Sequence, residues 1–230
     1  MNQRIIFLSI SVVSIVVIGI SMSTSSLSST TLDNQKAKEL IESLYNNISG
    51  FGIDNTESAM IEQKGGAPTY GEITYESAQQ LLNDLKLTQK DIFYDLGSGV
   101  GKMTIQTYLT TPVKKSVGIE LSPTRYKYAM AIKQQLSEQK YLDPNRTLDF
   151  KNQNIAEADL SDATVVYMCS TCYSEDLMQK IVNKLANMPK GLRIVTLKKL
   201  PKHKKFTLVN TFCLPMTWSS NTSVYLYQLQ

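Results

Sequence analysis

The chain is poor in cysteine and histidine, with three cysteines and one histidine in 230 residues. Cys169 and Cys172 are separated by two residues, and an odd number of cysteines makes a poor disulfide framework. A zinc site needs four ligands, and beyond this pair only Cys213 and His203 remain to supply them. The three cysteines are therefore expected to be small buried loop residues rather than a metal site or a redox pair.

Charge is also scarce, because charged residues make up 19% of the chain and the net charge is +4. Hydrophobic residues make up 42%, a composition typical of a globular chain and not of a disordered one. So small a net charge neither requires nor excludes a nucleic-acid partner. Without its N-terminal segment the chain keeps about 195 residues, which suits one α/β domain with a good core.

Only one long apolar run occurs, at residues 5–20, and it is interrupted by three serines and one glycine. It follows Arg4 and precedes a stretch rich in serine and threonine that extends to residue 31. This pattern is typical of a secretory signal or an uncleaved membrane anchor. The run is long for a signal core and short for a spanning helix of about 20 residues. We expect a protein that is membrane-anchored or exported.

Apolar periodicity predicts an open α/β fold after this segment. A helix is expected at 33–47, a lid loop at 49–68, and a helix that Thr74 caps and that ends near Lys86. The strands are predicted at 92–94, 117–119, 147–150, 163–168, 192–197, 206–214 and 224–229. Strands that alternate with helices predict a Rossmann-like, mostly parallel seven-stranded sheet with an antiparallel terminal hairpin.

A glycine-rich turn joins the first predicted strand to the following helix. Asp95 precedes Gly97, Gly99 and Gly101, and Glu120 ends the next strand. A strand, glycine turn, helix, strand and acid together form a template for binding a nucleoside. Glycine permits the sharp turn and the close approach of a ligand to the backbone. The acid can accept hydrogen bonds from both hydroxyls of a ribose.

The carboxylate at the start of this turn distinguishes it from a dinucleotide site. The glycine spacing is Gly-x-Gly-x-Gly, and a pyrophosphate favours an open helix N-terminus without a nearby acid. Asp95 suits a cationic ligand better, which points to S-adenosylmethionine with its ammonium group and its sulfonium. The alternative is an ordinary glycine-rich turn of an α/β protein.

The combination resembles class I S-adenosylmethionine-dependent methyltransferases. More narrowly, it is similar to the disruptor-of-telomeric-silencing family, the non-SET histone-lysine methyltransferases and their bacterial relatives. The Tyr-Gly-Glu of residues 70–72 resembles that family's cofactor-covering loop, and residues 95–101 resemble its glycine loop. Trp218 and Tyr225 resemble the aromatic pair that lines its lysine channel. The resemblance extends from residue 69 to the C-terminus.

The resemblance implies S-adenosylmethionine as the cofactor and assigns roles to individual residues. Asp95 and the glycine backbone are expected to hold the methionine end, and Glu120 the ribose hydroxyls. Asn154 and Ile155 stand where the family places an acid and an aromatic at the adenine. The expected cofactor-binding residues are Tyr70, Gly71, Glu72, Thr74, Asp95, Gly97, Gly99, Gly101, Glu120, Asn154, Ile155 and Cys169.

The loop after the fourth predicted strand departs from the family. An Asn-Asn-Phe-x-Phe run is replaced here by residues 169–173, in which Tyr173 stands for the last aromatic. Tyr173, Trp218 and Tyr225 are the expected catalytic residues, because an aromatic channel removes water from a lysine and attracts a sulfonium by cation–π contact. Because these asparagines are missing, the sequence does not identify the methyl acceptor.

A protein-lysine methyltransferase with a protein substrate, a histone included, is therefore the first hypothesis. The alternatives are a methyltransferase for a small molecule, a lipid or RNA, and a non-catalytic nucleotide-binding module. Six basic side chains lie between Lys198 and Lys205, and we interpret them as a solvated turn more readily than as a nucleic-acid contact. The expected division is a signal or anchor with its linker at 1–31, a helix and lid at 32–68, and the catalytic domain at 69–230, in a compartment that contains the cofactor.

Overall fold

The computed structural model describes residues 31–230. The predicted signal or anchor at residues 5–20 lies outside the described residues. Within the described range, no helix has both the length and the apolar character that crossing a membrane requires. The division of the chain into three parts stays a prediction.

A seven-stranded sheet forms the centre of the fold. Its strands are β1 (Ile92–Leu96), β2 (Lys115–Glu120), β3 (Thr147–Asn152), β4 (Val165–Met168), β5 (Arg193–Thr196), β6 (Phe206–Met216) and β7 (Ser219–Leu229). They are ordered β3-β2-β1-β4-β5-β7-β6. The first five strands are parallel, and β7 is antiparallel to both of its neighbours. The predicted fold class is confirmed.

Helices cover both faces of this sheet. They are α1 (Asn34–Leu44), α2 (Asn55–Gln63), α3 (Tyr75–Leu85), α4 (Lys102–Thr110), α5 (Pro123–Glu138) and α6 (Glu175–Leu185). Thr74, Ser122 and Ser174 cap α3, α5 and α6, because each side chain accepts a first-turn backbone amide. α3, α4 and α5 pack on one face and α6 on the other, so the central strands β1, β2 and β4 are buried on both sides, whereas the edge strand β3 is buried on one.

The expectation of a continuous loop at 49–68 is wrong, because α2 lies within it. Asp54 caps this helix by accepting a hydrogen bond from the Glu57 amide at 2.7 Å. Ile61 is its one buried residue, so the helix shows little apolar periodicity in the sequence. Tertiary contacts, which local patterns do not reveal, stabilise it.

The last two strands, predicted at 206–214 and 224–229, are longer than expected, and the connection between them is correspondingly shorter. β6 extends to Met216 and β7 starts at Ser219, so the turn consists of Thr217 and Trp218. Pro215 remains within β6 because this strand is at the edge of the sheet and shows a register shift there.

All three cysteines are free, and only Cys169 is half-buried. Cys172 and Cys213 are exposed, which corrects the expectation of buried thiols. Cys172 lies in a short 3-10 helix at Ser170–Cys172, and Cys213 lies on the edge strand β6. In residues 31–230 no group of three or more histidine, cysteine, aspartate or glutamate side chains is arranged to hold a metal ion.

Candidate active site

A cavity of about 360 Å³ opens at the end of the sheet where the parallel strands terminate. The predicted site residues that line it are Tyr70, Gly71, Glu72, Asp95, Gly97, Gly99, Glu120, Asn154, Ile155, Cys169, Tyr173 and Trp218. Thr74, Gly101 and Tyr225 do not line it. The fold therefore brings together residues that are up to 148 positions apart in the sequence.

Neighbouring side chains pack so closely against the glycine loop that no Cβ atom fits at Gly97 or Gly99. Gly97 and Gly99 have φ values of 82° and 55°, a region that favours glycine. A Cβ atom on Gly97 would lie 2.2 Å from the Tyr173 hydroxyl, and one on Gly99 would lie 2.6 Å from the Tyr70 ring. Gly101 instead packs against Phe150 at the N-terminus of α4, away from the cavity.

Asp95 is buried at the end of β1 and is 2% exposed. Its Oδ2 accepts a hydrogen bond from the Thr104 hydroxyl at 3.0 Å, and it forms no salt bridge with any of residues 31–230. Burial raises the pKa of Asp95 to about 7 although the hydrogen bond from the Thr104 hydroxyl lowers it, and the nearby charge of Glu120 adds a smaller upward shift. The side chain thus lacks the cation that would stabilise its charge.

Glu120 is the second buried carboxylate, at the end of β2. Its two oxygens accept hydrogen bonds from the amides of Gly99 and Ser122 at 2.7 and 2.8 Å. Burial raises the pKa of Glu120 although these bonds and the charge of Arg125 oppose the shift. Each carboxylate oxygen still has one lone-pair direction for a ligand hydroxyl.

Ser98 lies between these two acids in the glycine loop. The residue lines the cavity, and its hydroxyl is buried beside Gly118 without a hydrogen-bond partner in the described part of the chain. A buried hydroxyl without a partner costs free energy. The two buried carboxylates, neither of which forms a salt bridge within residues 31–230, suit a cationic ligand that carries hydroxyl groups, as S-adenosylmethionine does.

Residues 66–73 form a roof over the cavity, and Glu72 links this roof to the floor. One Glu72 oxygen accepts a hydrogen bond from the Tyr70 hydroxyl, and the other pairs with Lys102 at 2.7 Å. Lys102 is the first residue of α4, directly after the glycine loop. The backbone of Glu72 also bonds to Thr217 in the β6–β7 turn, in both directions. The roof is therefore fastened on two sides.

Arg125 fastens the roof on a third side. Its Nε donates to the Gly50 carbonyl at 2.9 Å, and a terminal nitrogen donates to the Pro68 carbonyl at 2.6 Å. The guanidinium lies 4.8 Å from the centre of the Tyr70 ring. The planar fork of arginine makes these contacts together, which a lysine cannot do.

We expect Arg125→Lys to open the roof while leaving the domain folded. Loss of one charge-assisted bond should accelerate limited proteolysis between residues 50 and 70 by about 10-fold. Arg146→Lys is the matched control, since Arg146 also stacks on a tyrosine and binds carbonyls but touches no roof residue. Equal cleavage rates in both variants would contradict a clamp at Arg125.

α2 supports the roof from the side of α5. Glu57 accepts hydrogen bonds from the Ser122 hydroxyl and from the Thr124 amide, the latter at 3.1 Å. Burial alone would raise the pKa of Glu57, but these hydrogen bonds outweigh it and the pKa is lowered. Glu57 therefore stays ionised and holds α2 at the start of α5.

Trp218 lies at the mouth of the cavity and is 44% exposed. Its indole covers Gly71, where a Cβ atom would come within 2.4 Å of the ring. Tyr225 packs instead against the core cluster on the α6 side, with the Lys199 ammonium 5.8 Å from its ring centre. The structure thus separates the two aromatics that the sequence pattern paired.

Tyr173 forms part of the wall beneath the mouth. Its hydroxyl donates to the Leu96 carbonyl at 2.7 Å, directly before the glycine loop. Burial raises its pKa, so the phenol is neutral. Cys169 is also held neutral, because burial raises the pKa of its thiol to about 12, and its sulfur lies 3.8 Å from the Gly71 carbonyl.

Two further predicted residues have structural roles that the sequence did not indicate in full. Asn154 lines the cavity, but its amide nitrogen donates to the Lys64 carbonyl at 3.0 Å and its oxygen accepts from the Ala156 amide. Thr74 caps α3 and points to Ser77 and Pro215 rather than into the cavity.

Several lining residues were missed by the sequence analysis, among them Ser98, Lys102, Arg125 and Tyr167. Ser98 and Lys102 belong to the glycine loop and its helix, so their place in the motif was an available signal. Arg125 and Tyr167 carried none, because their position at the site depends on packing between distant elements. The Tyr167 hydroxyl is buried and lacks a hydrogen-bond partner within residues 31–230.

Comparisons with known proteins agree with this geometry. A histone-lysine N-methyltransferase, H3 lysine-79 specific, of Caenorhabditis elegans is 31% identical over 145 residues, which is 60% of this chain and 15% of that protein. A protein-lysine N-methyltransferase of Saccharolobus islandicus (strain REY15A) is 31% identical over 118 residues, which is 51% of this chain and 68% of that protein. The chain thus spans a small part of the worm relative.

The fold has relatives among solved structures. An RNA methyltransferase from Salinibacter ruber, crystallised with S-adenosyl-L-homocysteine, matches with a TM-score of 0.51 and 22% identity, covering 67% of this chain and 90% of that one. At this identity the likeness concerns the fold alone. A family model, by contrast, matches residues 53–214, which include the roof, the glycine loop and both buried carboxylates. The chain therefore belongs to the family described as histone methylation protein DOT1.

Proposed function

We propose that this protein transfers a methyl group from S-adenosylmethionine to the side-chain amine of a protein lysine. The names of the worm and archaeal relatives describe this reaction for those proteins. The observation that carries the proposal is that two carboxylates, Asp95 and Glu120, are buried at the glycine loop beneath the roof. Neither forms a salt bridge within residues 31–230. Such a site favours a ligand that is cationic at one end and carries a ribose at the other.

The residues of the cavity suit the parts of this cofactor. Asp95 would bind the ammonium of the methionine end, and the free lone pairs of Glu120 would accept the ribose hydroxyls. Asn154 and Ile155 line the part of the cavity that remains for the adenine. The cofactor supplies an electrophilic methyl group on a sulfonium. The protein contributes alignment, exclusion of water and a matched electrostatic environment.

The mouth of the cavity suits an entering lysine. Trp218 and Tyr173 present aromatic surface to an alkyl stem and attract the positive charge that the amine carries after methylation. Removal of water at this mouth favours the neutral amine, which is the nucleophile. Glu72 is held by Tyr70 and Lys102, so its charge is balanced before a substrate arrives.

A methyltransferase for a small molecule, a lipid or RNA is the second candidate. Cys169 and Ser170 stand where the resemblance led us to expect two asparagines. Cys169 lines the cavity, whereas Ser170 is buried with its hydroxyl bonded to that of Thr196, and neither side chain provides the amide of asparagine. This loop favours an acceptor different from that of the family.

Tritium-labelled S-adenosylmethionine distinguishes these candidates. We expect label on protein, on lysine residues identified by mass spectrometry, when the purified chain is incubated separately with histones, total protein, lipid and RNA. The labelling should disappear with Asp95→Asn, which changes one buried group of the site. Label on lipid or RNA alone would replace the lysine proposal with the second candidate. Cofactor binding without label on any fraction would favour a non-catalytic module.

A further inference from the structure

The end of the domain opposite the cavity is basic. The strands β1, β2, β3, β5 and β6 run in the same direction. The loops that lead into their starts therefore lie together at this end. Backbone bonds connect them, from the Lys114 amide to the Asp91 carbonyl and from the Gln230 amide to the Lys205 carbonyl. The exposed lysines of these loops, which we name the basic face, are Lys86, Lys90, Lys114, Lys140, Lys190, Lys202, Lys204 and Lys205.

These lysines are not neutralised within the domain. Among residues 31–230 none of the eight forms a salt bridge, whereas Lys38, Lys102 and Lys133 elsewhere on the surface do. Lys205 alone of the eight has a side-chain hydrogen bond, to the Ala186 carbonyl at 2.7 Å. Lysines held close together without acidic partners repel one another and attract an anionic surface.

Acidic groups at this end are fewer, and several are already engaged. Asp162 pairs with Lys115 at 2.8 Å. Asp143 and Asp159 accept backbone amides within their own loops, at 2.8 and 2.9 Å. Asp91 pairs with Arg193, and Asp33 accepts the Lys36 amide at 3.0 Å. The remaining acids at this end are Asp84 and Glu138. The face therefore keeps an excess of positive charge.

The apolar N-terminal segment joins the domain at this same end. The Leu32 amide donates to the Leu109 carbonyl at 2.8 Å, one residue before α4 ends. Residues 5–20 are almost wholly apolar, and residues 21–31 connect them to this point. A linker of this length reaches at most about 3.5 Å per residue, so an apolar segment in a bilayer keeps the domain near its surface.

We propose that the basic face docks on the anionic surface of a lipid bilayer in which residues 5–20 are embedded. The docked domain turns its cavity away from the membrane, toward the solution. Each lysine near such a surface contributes favourably, and salt weakens the contribution. Nucleic acid would also suit the charge, but it provides no reason for an apolar segment to join at this face. The proposal does not rest on the proposed function.

Amine acetylation of the full chain, followed by mass spectrometry, tests the docking. The chain is reconstituted into vesicles of phosphatidylcholine alone or of an equal mixture with phosphatidylglycerol. We expect Lys86 and Lys140 to react about 10-fold more slowly on the anionic vesicles, and high salt to remove the protection. Lys64, an exposed lysine on the cavity side, should react equally on both.

Two double variants of equal charge make the test specific. Lys114→Gln with Lys190→Gln should abolish the protection, while Lys127→Gln with Lys199→Gln, two exposed lysines at the cavity end, should preserve it. Equal reaction of the two reporter lysines on both vesicles would overturn the proposal. It would also be overturned if double-stranded DNA, added in place of vesicles, protected them and anionic lipid did not.

Discussion

Asp95→Asn is expected to weaken the binding of S-adenosylmethionine by about 100-fold, because a hydrogen bond to a charged group contributes roughly 1.5–3 kcal/mol. Asp95 is buried, faces the cavity and has no cationic partner within the described residues. Asparagine keeps the shape of the side chain but lacks the negative charge that would bind the ammonium of the cofactor. Isothermal titration calorimetry with S-adenosylmethionine measures the change.

Asp149→Asn is the matched control for this experiment. Asp149 lies on β3 outside the cavity and pairs with Lys133 at 2.9 Å, so the variant loses the same charge elsewhere. Its cofactor affinity should equal that of the unaltered protein. If Asp95→Asn also bound the cofactor with unaltered affinity, Asp95 would not bind the ammonium group of the cofactor.

The same carboxyl group should make cofactor binding depend on pH. The pKa of Asp95 is raised to about 7 in the ligand-free protein, so the side chain becomes protonated as the pH falls below that value. Affinity should therefore fall below about pH 7, and Asp95→Asn should remove this contribution. The folded pKa lies above the unfolded one, so ligand-free protein loses the corresponding stability as the pH rises from about 4 to about 7. Thermal unfolding across this range checks the stability change.

Trp218→Ala is expected to lower kcat/KM for a lysine-bearing protein substrate by about 100-fold, since a tryptophan anchor at a binding mouth commonly contributes more than 2 kcal/mol. The indole lies over Gly71 at the entrance and is 44% exposed, whereas the carboxylates of Asp95 and Glu120 are buried. Cofactor affinity should change little. Steady-state kinetics with the protein substrate measures the change in kcat/KM, and calorimetry with S-adenosylmethionine measures the cofactor affinity separately.

The effect of Tyr225→Phe on kcat/KM should be compared with that of Trp218→Ala, because the sequence pattern places both aromatics at the lysine channel. The pattern pairs Tyr225 with Trp218 at the channel, but the structure packs Tyr225 against the core beside α6. Loss of its hydroxyl should leave kcat/KM unaltered. A decrease as large as that of Trp218→Ala would restore the paired channel and contradict the placement of Tyr225 outside the cavity.

The strand segments of the sheet and the glycine loop could be predicted because both depend on local properties of the chain. Gly97 and Gly99 adopt positive φ, which few other residues tolerate, so their spacing marks the turn in any sequence. Asp95 and Glu120 end two adjacent parallel strands, so their positions along the chain already place them at one edge of the sheet. α2 escaped prediction because a single buried residue produces no periodicity.

The sequence by itself determined the cofactor end of this protein, since a strand, three glycines and an acid specify their own geometry within 30 residues. Only the tertiary structure decided how the cavity is closed and which aromatic stands at its mouth. Arg125 reaches carbonyls that lie 57 and 75 positions earlier in the chain. Tyr225 lies away from the mouth, because in β7 it stands opposite Thr196 of β5 and packs against the core beside α6. Contacts of this range arise from packing between elements, and no local pattern of residues encodes them.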